Sequence, residues 1–183
     1  MKVLAIGGEP GVGKSTLVRS MIGRLGVGVA ETYRELRLTR YETGVCVLGV
    51  YAEGDAFGGT DRLSMAVQPS AKAFMFAEAC KDSLAQHVIF EGDRLFNQSF
   101  LQSCSDILAI ELRIAVLYAP PLVLASRRAA RETAVGAHQD RTWLAGRVTK
   151  IRNICAALPV ERWSVDDTTS RTEEVLRWLS VEH

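Results

Sequence analysis

One glycine-rich stretch near the start of the chain constrains the fold more than any other, because residues 8–15 read Gly-Glu-Pro-Gly-Val-Gly-Lys-Ser. This stretch fits the spacing G-x-x-x-x-G-K-[ST]. A short apolar run at 3–6 precedes it, and an amphipathic stripe at 17–25 follows it. A strand, a glycine-rich turn and a helix in this order point backbone N–H groups at an anion. The sequence therefore predicts a polyphosphate site in an α/β fold.

The residue types in this loop have separate tasks. Glycines allow backbone dihedrals and a close approach to phosphate that a Cβ would forbid. Lys14 is expected to bridge the β- and γ-phosphates of ATP, the Ser15 hydroxyl to bind Mg²⁺, and Thr16 to face the α-phosphate. The predicted nucleotide-binding residues are Gly8, Gly11, Val12, Gly13, Lys14, Ser15 and Thr16.

Length and composition suit one domain over residues 1–183, with 48% hydrophobic and 23% charged residues. A net charge of +1 argues against a uniformly basic coat but allows a local basic patch. The four cysteines and three histidines lack ligand spacing, so we expect reduced, mostly buried thiols and no histidine metal site. The apolar start is too short for a signal peptide, and no stretch is long enough to span a membrane. We therefore expect a cytoplasmic protein without a membrane partner.

Apolar runs and amphipathic stripes predict a three-layer α/β/α sandwich with a mostly parallel sheet, a β-hairpin elaboration and a helical lid at about 121–152. The predicted strands lie at 3–6, 32–38, 45–51, 87–91, the last part of 107–118, and 160–165. Helices are predicted after the loop, from Thr60 to about 84 with an interruption at Pro69, at 98–103, from Pro121, at about 140–158, and at 171–179.

Residues 52–62 are glycine-rich and polar, and they follow a predicted strand. Ligands of open α/β sheets bind beyond the carboxyl ends of the strands, so this loop is the candidate acceptor site. An alcohol acceptor benefits from a carboxylate that takes its proton. Asp61 is the first choice for this base and Asp55 the second. Their alternative roles are a helix N-terminal acid and a turn residue.

The apolar run at 87–90 ends in Glu91-Gly92-Asp93-Arg94. A strand that ends in a carboxylate is the second signature of phosphate-loop proteins, because the carboxylate holds Mg²⁺ directly or through water. Ser15, Glu91 and Asp93 are therefore the candidate metal-binding residues. A solvated turn at a strand end is the alternative interpretation.

A basic segment follows the predicted strand that ends near residue 118. Residues 123–152 contain seven basic and two acidic residues, a local excess of +5. Arg127, Arg128 and Arg131 have spacings that place them on one face of a helix. We expect these arginines to stabilise the phosphoryl group during transfer, whereas a solvated helical face is the alternative.

Taken together, these segments resemble the P-loop kinases of the nucleoside and nucleotide kinase type. Residues 90–94 are similar to their D-G-x-x-R turn, although Glu91 replaces the aspartate and Arg94 comes one residue early. The resemblance implies a P-loop NTPase fold, ATP and Mg²⁺, and an arginine-bearing lid over the phosphates.

A narrower resemblance rests on GGTDRLSM at 58–65, EGDR at 91–94 and TKIRNI at 149–154. These segments are together similar to phage-type kinases that phosphorylate hydroxymethylated pyrimidines in DNA. The resemblance implies that the acceptor is the hydroxymethyl group of 5-hydroxymethyluracil in DNA. The candidate acceptor-binding residues are Asp61, Arg62, Asp93 and Arg94.

Two other functions remain open. A deoxynucleoside monophosphate kinase needs no base, because its acceptor is already an anion, and Arg62 and Arg94 would hold the acceptor phosphate. A P-loop switch would hydrolyse nucleotide to drive a partner. The chain has no guanine-reading N-K-x-D segment, which argues against a GTP-dependent switch. The sequence makes no prediction of oligomeric state.

Overall fold

A computed structural model describes residues 1–52, 58–81, 87–135 and 140–181. The described residues form a seven-stranded sheet, whose spatial order is β2-β3-β4-β5-β1-β6-β7. In chain order the strands are β1 (Lys2–Gly8), β2 (Gly28–Tyr33), β3 (Leu36–Tyr41), β4 (Val45–Leu48), β5 (His87–Glu91), β6 (Glu111–Tyr118) and β7 (Glu161–Ser164).

Helices cover both faces of this sheet. They are α1 (Lys14–Ile22), α2 (Val67–Ala79), α3 (Gln98–Ser105), α4 (Pro121–Val135), α5 (Arg141–Ala157) and α6 (Thr168–Trp178), with 3₁₀ turns at Thr60–Arg62 and Val165–Asp167. One buried cluster joins the sheet to α2, α3 and α5, and the other joins it to α1 and α6. The predicted three-layer α/β/α sandwich is therefore confirmed. In the described ranges, no helix combines the length and apolarity needed to cross a bilayer.

Most of the sheet is parallel, as predicted. Strand β1 lies between β5 and β6 and is parallel to both, while β4 extends the parallel part beyond β5 and β7 beyond β6. The carboxyl ends of parallel strands meet at one edge of a sheet. The loop after β1, the loop after β4 and the turn after β5 therefore emerge side by side, and Ile6 is paired with Glu91 in the register.

The antiparallel part of the sheet is larger than the predicted hairpin. Strand β3 is antiparallel to both β2 and β4. The chain therefore turns twice in this region, whereas a single turn was predicted. The strand predicted at 32–38 did not include residues 28–31, but Gly28 begins β2 and pairs with Tyr41. This edge strand was missed because its residues are almost all exposed, so no alternation of apolar and polar residues marks it.

Two helix predictions need correction. The helix expected from Thr60 begins at Val67, because Thr60 is buried and its hydroxyl donates to the carbonyl oxygen of Glu91 (2.8 Å) instead of capping a helix. Pro69 lies in the first turn of α2, where a missing N–H is tolerated. Along α5, the neighbouring Ile154 is buried, whereas the residues expected to form a buried stripe are all half-buried: Leu144, Val148, Ile151, Cys155 and Leu158.

The thiols are only partly as expected. All four cysteines are free; Cys46 and Cys104 are buried, Cys155 is half-buried and Cys80 is exposed. Burial raises the pKa of the Cys46 and Cys104 thiols to about 12. These two thiols therefore serve as small apolar groups in the core.

Candidate active site

The loop between β1 and α1 has the backbone geometry of an anion cradle. Its three glycines have positive φ angles, 140° at Gly8, 84° at Gly11 and 107° at Gly13. A Cβ at Gly8 would lie 2.7 Å from the carbonyl oxygen of Leu117, so glycine is required there. Gly13 is the N-cap residue of α1 and carries no side chain. The first N–H groups of α1 are therefore left for a bound anion.

Lys14 and Ser15 begin α1 with their side chains at this loop. The Lys14 ammonium donates to the carbonyl oxygens of Gly8 (2.9 Å) and Glu9 (3.1 Å), which places the cation across the loop. The Ser15 hydroxyl donates to Oε1 of Glu91 (2.7 Å). The two sequence signatures of a phosphate-loop protein thus meet in one hydrogen bond.

Glu91 is a buried acid at the carboxyl end of β5, with 1% of its surface exposed. Burial raises the pKa of this carboxyl to about 7, although Lys14 and the Ser15 hydroxyl favour the charged form. Gly59 packs against it, and a Cβ at Gly59 would overlap the carboxylate. A hydroxyl and a carboxylate oxygen beside a phosphate cradle form a donor set that suits Mg²⁺. Ser15 and Glu91 therefore fit the implied metal.

Asp61 lies in the same cleft and is held by the turn after β5. Its Oδ1 accepts the backbone N–H of Asp93 (2.6 Å). Although the side chain reaches solvent, the surrounding protein atoms dehydrate the carboxylate and raise the pKa of Asp61, and the negative charge of Asp93 adds to this effect. The structure thus places the predicted base near Lys14 and Glu91.

Asp93, a predicted metal ligand, lines the cleft, and its described ion pairs are with α5. Its carboxylate forms ion pairs with Arg147 (2.8 Å) and Lys150 (3.2 Å) of α5. Lys150 also donates to the carbonyl oxygen of Asp93 (3.0 Å). Asp93 therefore holds the lid helix beside the cleft, and the hydroxyl–carboxylate pair suited to metal consists of Ser15 and Glu91.

The arginines of α4 approach the loop from its other side. Arg127 donates to the carbonyl oxygen of Val12 (3.0 Å), and Arg128 donates to that of Pro10 (3.0 Å). Arg128 also pairs with the carboxylate of Glu9 (2.8 Å). Two of the three predicted lid arginines thus lie at the phosphate loop. The side chain of Arg131 and the whole of Asp55 lie outside the described part of the chain.

The two predicted acceptor arginines are placed differently. Arg94 lines the cleft and donates to the carbonyl oxygen of Leu63 (3.4 Å). Arg62 is exposed and is not among the described residues that line the cleft, and its carbonyl oxygen accepts from Arg37 (3.2 Å). The structure therefore brings only Arg94 to the predicted acceptor side.

These parts surround one cleft of about 520 Å³. Its described lining is Gly8, Pro10, Gly11, Gly13, Lys14, Ser15, Thr16, Arg19, Gly58, Asp61, Glu91, Asp93, Arg94, Trp143, Arg147 and Ile151. Three of these residues were not predicted as site residues: Arg19, Trp143 and Arg147. The available signal was the spacing of Trp143 and Arg147, which are one helical turn apart in the basic segment.

The main chain is closed at the base of the acceptor loop. Val50 donates to the carbonyl oxygen of Gly59 (3.1 Å), and Gly59 donates back to that of Val50 (2.9 Å). This bridge lies just beyond β4 and holds Gly59 where it contacts Glu91. The two ends of segment 51–58 are therefore anchored beside the predicted metal site.

The parallel sheet, the glycine cradle and the Ser15–Glu91 pair together define a P-loop kinase. Residues 1–172 match the sequence model of the family described as P-loop Nucleotide Kinase3, and the chain belongs to that family. This membership confirms the predicted P-loop kinase class. The DNA acceptor and the phage-type resemblance stay predictions.

Two solved structures are similar to this chain at low identity. One is a gluconokinase from Sinorhizobium meliloti 1021, with 15% identity and a TM-score of 0.49, covering 98% of this chain and 91% of the other. The second is an uncharacterized protein from Eubacterium ventriosum ATCC 27560, with 10% identity and a TM-score of 0.46, covering 100% of both chains. No protein of curated function matches the sequence significantly.

Proposed function

We propose that the protein transfers the γ-phosphoryl group of ATP to an alcohol, and that this alcohol is the hydroxymethyl group of 5-hydroxymethyluracil in DNA. The observation that carries the proposal is the position of Asp61, a carboxylate in the same cleft as Lys14 and fixed by the N–H of Asp93. An alcohol must lose a proton as it attacks phosphorus. A phosphate acceptor has no such need, so a positioned carboxylate favours an alcohol.

The phosphate loop binds the triphosphate in this proposal. Its N–H groups and the Lys14 ammonium hold the β- and γ-phosphates, and Ser15 and Glu91 are the residues that hold Mg²⁺. When bound, Mg²⁺ neutralises charge on the phosphates and favours transfer. The hydrogen bond between Ser15 and Glu91 (2.7 Å) supports this assignment, because it places both oxygen ligands together.

Asp61 accepts the proton of the acceptor alcohol. Its Oδ1 accepts from Asp93, which leaves Oδ2 for the alcohol. The raised pKa of Asp61 brings the base nearer to neutral pH, where proton transfer is most effective. The alcohol oxygen bonds to the γ-phosphorus, the bond from phosphorus to the bridging oxygen breaks to release ADP, and the proton passes to Asp61.

Arg127, Arg128 and Arg131 stabilise the phosphoryl group during transfer. The positions of Arg127 and Arg128 support this role, because both side chains donate to carbonyl oxygens of the phosphate loop. Guanidinium groups beside a transferring phosphoryl group offset its developing charge.

A DNA acceptor fits the basic character of the lid. A base within a duplex has to flip out to reach the cleft, and the strand phosphates then lie near the basic segment. Binding to DNA is therefore expected to weaken steeply as salt increases.

A deoxynucleoside monophosphate kinase is the second candidate. The observation that favours it is Arg94, a cation in the cleft on the same wall as Asp61. In this alternative Arg94 holds the acceptor phosphate, and Asp61 only orients neighbouring groups.

The test is transfer of labelled γ-phosphate from ATP with Mg²⁺ to three acceptors assayed separately. The acceptors are DNA containing 5-hydroxymethyluracil, the same DNA with thymine, and a pool of deoxynucleoside monophosphates. Label only in the modified DNA is the expected result. Label only in the mononucleotides would identify a nucleotide kinase, and release of phosphate without any labelled acceptor would favour a P-loop switch.

A further inference from the structure

Trp143 has an unusual position for a tryptophan. It is the aromatic residue among the described residues that line the cleft, and 41% of its surface is exposed. The rest of the described lining is mainly glycine, charged and hydroxyl residues. This partly exposed ring on the wall of a polar cleft is placed where a ligand in the cleft can contact it.

Trp143 has one backbone contact and one ring contact at the start of α5. The backbone N–H of Trp143 donates to Oδ1 of Asp140, the N-cap residue of the helix (2.9 Å). Arg147, one turn later, places its guanidinium 4.9 Å from the centre of the ring. With this cation on one face and 41% of the residue exposed, the ring is suited to stack on a planar group in the cleft.

The contacts of Arg147 connect the ring to the acceptor side of the cleft. Arg147 pairs with the Asp93 carboxylate (2.8 Å), and the backbone N–H of Asp93 donates to Asp61 (2.6 Å). Trp143, Arg147, Asp93 and Asp61 thus form one chain of contacts that ends at the proposed base. The arginines at the phosphate loop belong to another helix, α4, and contact Val12 and Pro10.

We propose that Trp143 stacks on the pyrimidine ring that carries the acceptor hydroxyl, and that Arg147 is its positioning residue. This inference rests on the proposed function for the identity of the acceptor. Stacking explains how the cleft would select a nucleobase without hydrogen bonds to its edge, because every base has a flat face. Arg147 then acts twice, since it supports the ring and keeps α5 against Asp93.

The kinetic test compares Trp143→Ala and Trp143→Phe with the wild-type protein. Trp178→Phe is the matched control, because Trp178 also has a cationic neighbour, Arg113 at 5.6 Å, but does not line the cleft. We expect Trp143→Ala to raise the KM for the DNA acceptor by about 10-fold to 100-fold. The KM for ATP should stay unchanged, Trp143→Phe should retain most of the acceptor affinity, and Trp178→Phe should behave as wild type.

Two kinetic results would overturn the inference. An unchanged acceptor KM in Trp143→Ala would remove Trp143 from acceptor binding. A higher KM for ATP with an unchanged acceptor KM would mean that the ring stacks on adenine instead. Circular dichroism of each variant checks that the fold is retained.

A binding test separates this inference from the proposed function. Intrinsic fluorescence is titrated with 5-hydroxymethyl-2′-deoxyuridine and, separately, with ATP, in the Trp143→Phe and Trp178→Phe proteins. Quenching by the nucleoside that is lost only in Trp143→Phe supports stacking even if no phosphoryl transfer is found. Quenching that persists in Trp143→Phe, or no quenching in either protein, would contradict it. Phosphoryl transfer without Trp143-dependent quenching would rule out the stacking role but would not contradict the proposed function.

Discussion

The two walls of the cleft are built in different ways. The phosphate wall is one continuous stretch, residues 8–16, whose shape comes from positive-φ glycines and the start of α1. The acceptor wall combines Asp61, Asp93, Arg147 and Trp143 from separate parts of the chain, joined by hydrogen bonds and ion pairs. Local backbone geometry therefore shapes the phosphate wall, whereas tertiary contacts assemble the wall where we propose that the acceptor binds. Substitutions on the first wall should affect every reaction, and substitutions on the second should affect one substrate.

The largest effect is expected on the phosphate wall. Lys14→Ala removes the cation that lies across the loop, and transfer should fall by about 10³-fold with any acceptor. The measurement is the initial rate of label transfer at saturating ATP. Lys2→Ala is the control, because Lys2 donates to the carbonyl oxygen of Trp178 and does not line the cleft. A loss of less than tenfold in Lys14→Ala would contradict the role of the phosphate wall.

Asp61→Asn tests the chemistry of the acceptor wall. The amide keeps a carbonyl oxygen for the Asp93 N–H but cannot accept the alcohol proton, so transfer should fall by about 10²-fold. ATP affinity should not change, as measured by equilibrium binding of a labelled nucleotide. Asp106→Asn is the control, since Asp106 accepts from Gln102 at the end of α3. Unchanged turnover in Asp61→Asn would remove Asp61 as the base.

Two buried glutamates differ in how their charge is balanced: Glu91 lies in the cleft, and Glu78 lies in α2 beside two cations. Glu91 and Glu78 are 1% and 5% exposed. Glu78 is neutralised by Arg40 (3.5 Å) and Lys81 (2.5 Å). The pKa of Glu91 is about 7 instead of its usual 4.5, so ionisation of Glu91 destabilises the folded protein as pH rises from 4.5 to 7. The cost is fully present above pH 7 and absent below pH 4.5.

Glu91→Gln should therefore raise the free energy of unfolding at pH 8 by up to about 3 kcal/mol, and should have little effect near pH 4.5. Chemical denaturation without Mg²⁺ or nucleotide measures this difference. Glu78→Gln should have the opposite sign at pH 8, because it leaves cations beside a buried neutral group. Equal gains for Glu91→Gln at both pH values would show that charge is not the cause.

The smallest effect is expected from the ion pairs of the acceptor wall. Asp93→Asn keeps the backbone N–H for Asp61 but removes the charge that holds Arg147 and Lys150. Because each partly exposed pair contributes about 1 kcal/mol, the acceptor KM should rise several-fold while the KM for ATP stays the same. Glu173→Gln, which removes the exposed ion pair with Arg24, is the control. An equal rise in both KM values would mean that the two walls are not independent.

The sequence was most informative where structure depends on neighbouring residues. The strand at His87–Glu91 and the helix start at Pro121 were predicted with the observed bounds, because an apolar run and a proline mark them locally. The helix start at Thr60 was wrong, since a threonine that caps a helix and one that donates to a distant carbonyl are alike in sequence.

The contacts between residues of the acceptor wall could not be predicted from local sequence patterns. Residue 93 contains a carboxylate beside a strand end, which suggested a metal ligand. Its pairing with Arg147 and Lys150 depends on how α5 packs across the cleft, 57 positions away for Lys150. No local pattern marked Trp143 as a site residue, and only the packing of α5 places it in the cleft.

The backbone bridge between Val50 and Gly59 holds the two ends of segment 51–58 in place. Because these residues exchange two backbone hydrogen bonds, segment 51–58 begins and ends at neighbouring points beside Glu91. Changing the length of a closed loop costs little free energy, about 0.6 kcal/mol for each doubling. A change in the length or sequence of this segment should therefore leave Gly59 and Glu91 in place, so the proposed acceptor loop is free to vary without loss of the phosphoryl donor site.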